Sequence, residues 1–283
     1  MLVSLNEVMP SLQARRLCLP GFDIAGGQSD FLLGVLGACE AARSPALLLV
    51  WAPGAEYIGL EACADLTASF AGRSSVPVIL HLDHGRDEQA VETALAAGFK
   101  SVMFDGSACE LEENLRRTKE MARLAHAHGA TVEGELGRFG QETGGGNDAA
   151  VLTDPQEAAD FVRRTGIDIL APAVGNAHGF YKSPPRLRFD LIEQIAARTG
   201  VPLSLHGGTG LAAADLRRAA GLGVRKVNIA TQLHKDFNDA LGAAVAEAAP
   251  GRCSWHKALN AGRQAVAATA ARYLAELGIE GLV

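Results

Sequence analysis

Short apolar runs alternate with longer helical patterns along the whole chain. The apolar runs predict eight strands, near 17–23, 46–51, 77–82, 100–104, 130–136, 167–174, 201–206 and 225–230. The segments around them predict helices near 29–42, 57–71, 87–97, 110–128, 155–165, 189–199, 212–221, 234–248 and 256–277. Several strands are apolar throughout, as strands covered on both faces must be. Eight successive strand–helix units predict an α/β fold, the (β/α)8 TIM barrel.

The bulk properties favour one domain and a small polar substrate. Residues 1–283 fit a single barrel domain, because such barrels commonly reach about 250 residues or more. The formal net charge of −6 gives no basic field for a nucleic acid. No apolar run approaches the roughly 20 residues that cross a membrane, and we expect no secretory signal. Five scattered cysteines indicate reduced thiols and a cytoplasmic protein.

Three histidines stand where predicted strands break off into glycine. They are His84, His178 and His206, each followed directly by glycine. Other polar residues at the same predicted strand ends are Asp83, Asp105, Glu135 and Asn228. Barrel enzymes build their active sites at the carboxyl ends of the strands. Three neutral imidazoles with an open fourth position form a zinc arrangement suited to catalysis, so we expect one catalytic zinc ion.

The other histidines are expected to have no catalytic role. His81 alternates with Asp83 along one strand, which indicates a structural position. Four more histidines lie at the starts or ends of predicted helices and are expected to be solvated, namely His126, His128, His234 and His256.

Six segments of the chain carry a recognisable pattern, namely 81–85, 101–107, 132–137, 173–182, 205–210 and 226–231. In this order, and over essentially the whole chain, they resemble the class II, zinc-dependent ketose-bisphosphate aldolase family, of the fructose- and tagatose-bisphosphate aldolase type. The resemblance implies reversible retro-aldol cleavage of a phosphorylated ketose to dihydroxyacetone phosphate, or a related ketone, and an aldehyde. It also implies His84, His178 and His206 as zinc ligands, and a homodimer or homotetramer.

The resemblance assigns further roles. Asp83 takes the C4 hydroxyl proton, and Glu135 resembles the family's acidic residue near the metal, with Glu133 as a weaker candidate. Glu142 is the candidate for protonating the enediolate carbon, in a loop that differs in length and spacing from the family's usual form. The residues that correspond to the family's phosphate and monovalent-cation region are Gly179, Lys182, Gly207, Gly208, Thr209, Asn228 and Thr231. Glycines there let backbone N–H groups close on a dianion, and a following helix N-terminus adds a favourable field.

Three positions depart from the family's pattern near the substrate. Asp23 replaces a common asparagine, Ala52 replaces a serine or threonine, and Asn260 stands where an arginine reaches the distal phosphate. Loss of a guanidinium at a phosphate is not a conservative change. Arg263 is a nearby alternative, although it would point elsewhere on a helix. We therefore expect a substrate with one phosphate rather than fructose 1,6-bisphosphate.

Three other interpretations stay open. A Schiff-base aldolase would use Lys226, the lysine best placed inside a barrel strand. A non-catalytic aldolase-like subunit would support a partner enzyme. A metal-dependent sugar-phosphate epimerase would use the same enediolate stabilisation without changing the number of carbons.

Overall fold

The computed structural model describes residues 2–137, 140–141, 151–181, 186–248 and 252–283. Its strands are β1 (Leu19–Asp23), β2 (Ala46–Trp51), β3 (Val78–Gly85), β4 (Ser101–Phe104), β5 (Thr131–Leu136), β6 (Gly140–Gln141), β7 (Ile169–Pro172), β8 (Ala177–His178), β9 (Leu203–Leu205) and β10 (Val224–Ile229). Eight of them close into a parallel barrel in the order β1, β10, β9, β7, β5, β4, β3, β2. The (β/α)8 prediction is therefore confirmed. The short β6 and β8 pair separately in parallel.

Helices cover the barrel from outside. They are α1 (Leu5–Arg15), α2 (Ser29–Ala42), α3 (Leu60–Ala71), α4 (Glu88–Ala96), α5 (Leu111–Ala127), α6 (Pro155–Thr165), α7 (Phe189–Thr199), α8 (Ala213–Gly221), α9 (Thr231–Glu247) and α10 (Trp255–Leu277), with a 3-10 helix at Ala52–Tyr57. The start of α6 shows why the local signals work: Asp154 accepts hydrogen bonds from two backbone N–H groups of the first turn. Among the described residues, none of the helices is both long and apolar enough to cross a membrane.

The first helix, α1, is absent from the predicted elements. Pro10 lies inside it, and an internal proline lowers helix propensity. Contacts with the barrel hold the segment instead: the Val3 N–H donates to the Val78 carbonyl, and the Asn6 N–H donates to the Thr131 hydroxyl. Both acceptors lie at the amino-terminal ends of their strands. The α1 segment therefore covers the end of the barrel opposite to the predicted active face.

One strand differs from its predicted length in a way that matters for the site. β3 continues to Gly85, three residues beyond the prediction, and its pairing with β4 shifts register between Leu82 and Gly85. Within this bulge His84 adopts a left-handed backbone conformation, with φ of 51°. Bulges redirect side chains, and strained backbone of this kind occurs often at functional sites. The bulge places Asp83 and His84 at the mouth of the barrel.

Candidate active site

The three predicted histidine ligands meet at the carboxyl face. His84 comes from β3, His178 ends β8, and His206 follows β9. Their ring centroids are 4.8 Å apart for His84 and His206, 5.1 Å for His84 and His178, and 5.9 Å for His178 and His206. One donor atom from each residue lies within 4.8 Å of the other two. The structure therefore brings the predicted ligands together at metal-binding spacing.

Two carboxylates fix the orientation of two of these rings. His84 Nδ1 lies 2.8 Å from Asp105 Oδ2, and His206 Nε2 lies 2.7 Å from Glu133 Oε1. A carboxylate accepts hydrogen bonds, so both of these nitrogens carry the proton. The other nitrogens, His84 Nε2 and His206 Nδ1, face each other at 3.0 Å. A proton on His84 Nε2 bridges these two nitrogens, and a metal cation bound at the same place would take the position of that proton.

The pKa values of the rings follow from the same arrangement. Burial opposes a charge on His84, but the Asp83 and Asp105 carboxylates outweigh it and raise the pKa of His84 to about 9. Burial, reinforced by the neighbouring His84 and His206, lowers the pKa of His178 to about 3. At neutral pH His178 is therefore a neutral imidazole, the form that binds a metal ion. His84 would exchange its proton for the metal ion.

The two candidate glutamates of β5 occupy different surroundings. Glu133 binds His206 through Oε1, and its Oε2 lies 2.9 Å from the buried Lys226 Nζ. Glu135 Oε2 lies 3.6 Å from His84 Nδ1, and burial together with Asp105 raises the pKa of Glu135 to about 8. Glu133, ranked second from the sequence, is thus the glutamate that orients a predicted ligand. Glu135 forms a second possible ligand group with His84 and Asp105.

Lys226 belongs to the barrel interior rather than to a Schiff-base site. Its side chain is fully buried, and its amine also lies 3.3 Å from the Ser204 hydroxyl. The amine is thus held by a buried ion pair with Glu133, and Lys226 does not line the cavity at the barrel mouth.

His81 is also buried in the barrel interior and hydrogen-bonds Ser101 at 2.8 Å, in the structural position predicted for it.

We expect Glu133→Gln to weaken metal binding about 10- to 100-fold, the usual cost of removing a partner that orients a ligand. The variant leaves Lys226 with a buried unpaired charge, so the double variant Glu133→Gln/Lys226→Met should recover folding stability while metal binding stays weak. Competition with a chelator measures the affinity, and Glu193→Gln on α7 is the matched surface control. Unchanged affinity in both variants would show that Glu133 does not position His206.

The predicted base Asp83 is held beside the histidines. Asn228 Nδ2 donates a hydrogen bond of 2.9 Å to Asp83 Oδ1. Burial favours the protonated acid, but the positive field of His84 and His206 outweighs it and lowers the pKa of Asp83. Asp83 is therefore an ionised carboxylate that lines the cavity next to a predicted metal ligand.

A cavity of about 520 Å³ opens above the histidines. Five of the predicted phosphate-region residues line it, namely Gly179, Gly207, Thr209, Asn228 and Thr231. Gly208 packs behind them, where an added Cβ would come within 2.4 Å of the Val227 side chain. Gly207 has φ of 67°, and a Cβ there would lie 1.9 Å from the Ala177 carbonyl oxygen. The loop after β9 thus needs glycine to pack on β8. Glu142 and Lys182 lie outside the described residues.

The cavity also contains three residues that the sequence did not single out for this face, namely Trp51, Arg86 and His234. Asp23, expected near the substrate, lines it as well. The prediction that His234 is solvated holds only in part: its side chain is 42% exposed, but its ring contacts Phe31 at a centroid distance of 5.2 Å, and its Nε2 is buried 3.6 Å from Asp23 Oδ1. The reason is that α9 begins at Thr231, three residues earlier than predicted, so His234 falls in its first turn. His126, His128 and His256 are exposed, as predicted.

Neither residue considered for the distal phosphate reaches the cavity. Asn260 is exposed on α10. Arg263 donates from both Nε and Nη2 to Asp30 Oδ1, at 2.9 and 2.6 Å. Ala52 lines a neighbouring cavity, which shares His84 and Arg86 with the main one. Among the described residues that line the main cavity, Arg86 is the only lysine or arginine.

The comparisons with known proteins agree with this site. The chain matches the family described as fructose-bisphosphate aldolase class-II over residues 3–282. It is 36% identical over 284 residues to a fructose-bisphosphate aldolase of Geobacillus stearothermophilus, covering 99% of this chain and 98% of the relative. It is 41% identical over 236 residues to the D-tagatose-1,6-bisphosphate aldolase subunit GatY of Klebsiella oxytoca, covering 81% and 82%.

The crystal structure of the YdjI aldolase from Escherichia coli K12 is also similar, with a TM-score of 0.88 and 32% identity over 99% of each chain. The chain therefore belongs to the class II fructose-bisphosphate aldolase family. It is accordingly an aldolase, a carbon–carbon lyase. The resemblance found in the sequence motifs is confirmed over the whole chain.

Proposed function

We propose that this aldolase reversibly cleaves a phosphorylated ketose to dihydroxyacetone phosphate, or a related ketone, and an aldehyde, with zinc held by His84, His178 and His206. The observation that carries the proposal is the pair of facing nitrogens, His84 Nε2 and His206 Nδ1, at 3.0 Å beside an ionised Asp83. As part of the same proposal, the protein acts in the cytoplasm as a homodimer or homotetramer.

The donor set supports zinc. Three imidazoles suit zinc among the common metal ions, and three protein ligands leave a position for the substrate. Asp105 and Glu133 hold the proton on the far nitrogens of His84 and His206, so the lone pairs of these rings point at the site. When bound, zinc would act as a Lewis acid that stabilises the negative charge developing on the substrate oxygens.

Asp83 is the proposed base. In the cleavage direction its carboxylate takes the proton of the C4 hydroxyl, the C4–O bond becomes a carbonyl, and the C3–C4 bonding electrons leave with the ketone fragment. Asn228 holds Asp83 Oδ1 at 2.9 Å and so keeps the carboxylate directed at the cavity. Glu142, the candidate from the sequence, would return a proton to C3.

The phosphate is proposed to bind at the glycine-rich side of the cavity. Gly179 and Gly207 both have positive φ, which turns their backbone sharply at the cavity wall. Thr231 begins α9, so the positive end of that helix dipole lies at the same wall. Gly208, Thr209 and Lys182 complete the proposed set, and Lys182 would add a full positive charge.

A screen of the zinc-loaded protein against ketose monophosphates and bisphosphates tests the function. We expect release of a three-carbon phosphate together with an aldehyde, and loss of this activity after chelation. The epimerase alternative predicts a product with the same number of carbons as the substrate, and the subunit alternative predicts no turnover by the isolated chain. Either result would contradict the proposal.

A further inference from the structure

We infer that Asp23 and Trp51 form a subsite for the distal end of the ketose, and that this subsite accepts an uncharged, hydroxyl-bearing end and rejects a second phosphate. The inference rests on the proposed function, since it concerns the part of the substrate that lies beyond Asp83. Both residues line the cavity above the three histidines.

The sheet register shows where the distal carbons would lie. Trp51 pairs with Asp83 between β2 and β3, so the indole stands next to the proposed base. Asp23 pairs with Leu49 of the same strand β2, and its own strand β1 also pairs with β10, so Asp23 lies between β2 and β10. The proposed phosphate residues lie on the turns after β8 and β9, at the end of β10 and at the start of α9. A ketose with its C1 phosphate at the turns after β8 and β9 and its C4 hydroxyl at Asp83 would have its last carbons beside Trp51, and Asp23 lies at the end of the next strand in the same cavity wall.

The Asp23 side chain is fixed and keeps one oxygen available. Its Oδ1 accepts a hydrogen bond of 2.6 Å from the Ala25 N–H and lies 3.6 Å from His234 Nε2. Its Oδ2 has no hydrogen-bond partner among the described residues. A carboxylate oxygen can only accept hydrogen bonds, so its natural ligand is a hydroxyl group. A phosphate dianion at the same place would meet a like charge.

Trp51 provides the apolar part of the subsite. Its side chain is 43% exposed although it lies at the wall of a cavity, so a broad indole surface faces the space that the substrate would enter. Small-molecule sites commonly combine such an aromatic wall with a few placed polar groups. The C–H groups of a sugar chain can pack on the indole while its hydroxyls bond to Asp23.

The positive charge available at this wall does not outweigh the carboxylate. Arg86 is the only lysine or arginine among the described lining residues, and its side chain is 65% exposed, where water screens it. Its Nε also lies 3.8 Å from Asp105 Oδ2, which offsets part of its charge. A second phosphate bound here would lose its hydration. In return it would contact only the Arg86 guanidinium, which Asp105 shares, and it would lie near the Asp23 carboxylate, which repels it.

The condensation reaction tests this subsite separately from the first phosphate site. In that direction the aldehyde becomes the distal end of the ketose, while dihydroxyacetone phosphate supplies the other end. With dihydroxyacetone phosphate held constant, kcat/KM is measured for glyceraldehyde, which is uncharged, and for glyceraldehyde 3-phosphate, which is a dianion. We expect the unmodified protein to favour glyceraldehyde. Asp23→Asn keeps the shape of the side chain and removes its charge, and it should shift the ratio towards glyceraldehyde 3-phosphate by about tenfold. Asp65→Asn, on the exposed face of α3, should leave the ratio unchanged.

Two outcomes overturn the inference alone. One is a higher kcat/KM for glyceraldehyde 3-phosphate in the unmodified protein, which would mean that Arg86 captures the second phosphate. The other is an Asp23→Asn ratio equal to that of the unmodified protein. The comparison of the two aldehydes in the unmodified protein needs no variant. It therefore tests the inference even if Asp23→Asn fails to fold. If the unmodified protein fails to exchange a C–H proton of dihydroxyacetone phosphate with solvent, the proposed function itself is wrong.

Discussion

We expect the replacement of His178 with alanine to lower ketose cleavage about 10³-fold or more and to abolish zinc binding. Metal ions supply several kcal/mol of charge stabilisation in such reactions, and each 1.36 kcal/mol corresponds to about a factor of ten in rate. His178 sits within 6 Å of both other rings, with centroid distances of 5.1 and 5.9 Å. Burial lowers the pKa of His178 to about 3, which keeps the ring neutral for metal binding at neutral pH. Metal analysis and steady-state kinetics measure the two effects.

The matched control is His256→Ala, in the exposed first turn of α10, which should keep both zinc content and turnover. Because His178 lies at the end of β8, the variant's folding is checked by thermal unfolding. A folded His178→Ala protein with normal zinc content and normal turnover would remove this residue from the ligand set.

Asp83→Ala should lower turnover roughly 10²- to 10⁴-fold, the usual range for losing a general acid or base. The zinc content should stay close to normal, because His84, His178 and His206 are retained. A lost base lowers turnover but leaves the zinc content unchanged, whereas a lost metal ligand lowers both.

Asp83→Asn is the second variant, since it keeps the shape of the side chain but cannot take a proton. It should be as inactive as Asp83→Ala. Full turnover in the asparagine variant would show that Asp83 serves only to hold Asn228, with which it shares a hydrogen bond of 2.9 Å.

The barrel was predictable because its signals are local. Each strand is a short apolar run, each helix follows a turn, and a cap such as Asp154 marks where a helix starts. The position of the three histidines was predictable for the same reason, since the ends of parallel strands share one face. The α1 helix was missed because contacts from Val3 and Asn6 to distant strands stabilise it, and no local pattern shows them.

The contacts among side chains were less predictable. Glu133 and Glu135 are two residues apart in β5, so their side chains lie on the same face of the strand. Their spacing therefore does not show which of them contacts a metal ligand. Only the distances separate the glutamate that binds His206 from the one near His84. Lys226 carried a usable signal: a lysine buried in a barrel strand needs a charged partner, and in the structure that partner is Glu133 of β5.

The residues on the distal side of the cavity could not be predicted from the sequence for a different reason. Arg86 stands in a turn with no periodic pattern, and His234 enters the cavity only because α9 begins at Thr231. The substitutions at Asp23 and Ala52 could be noticed in the sequence, but their neighbours could not. Trp51 became a candidate only when the register placed it beside Asp83.

Proton exchange on dihydroxyacetone phosphate tests the central claim most directly. The purified protein is loaded with zinc and incubated with this ketone in deuterated water, without any aldehyde, and deuterium at the carbon next to the carbonyl is followed by NMR. We predict exchange that stops after chelation and returns when zinc is added back. Exchange that persists without metal, or its absence in the zinc-loaded protein, would contradict a zinc-dependent aldolase site at His84, His178 and His206.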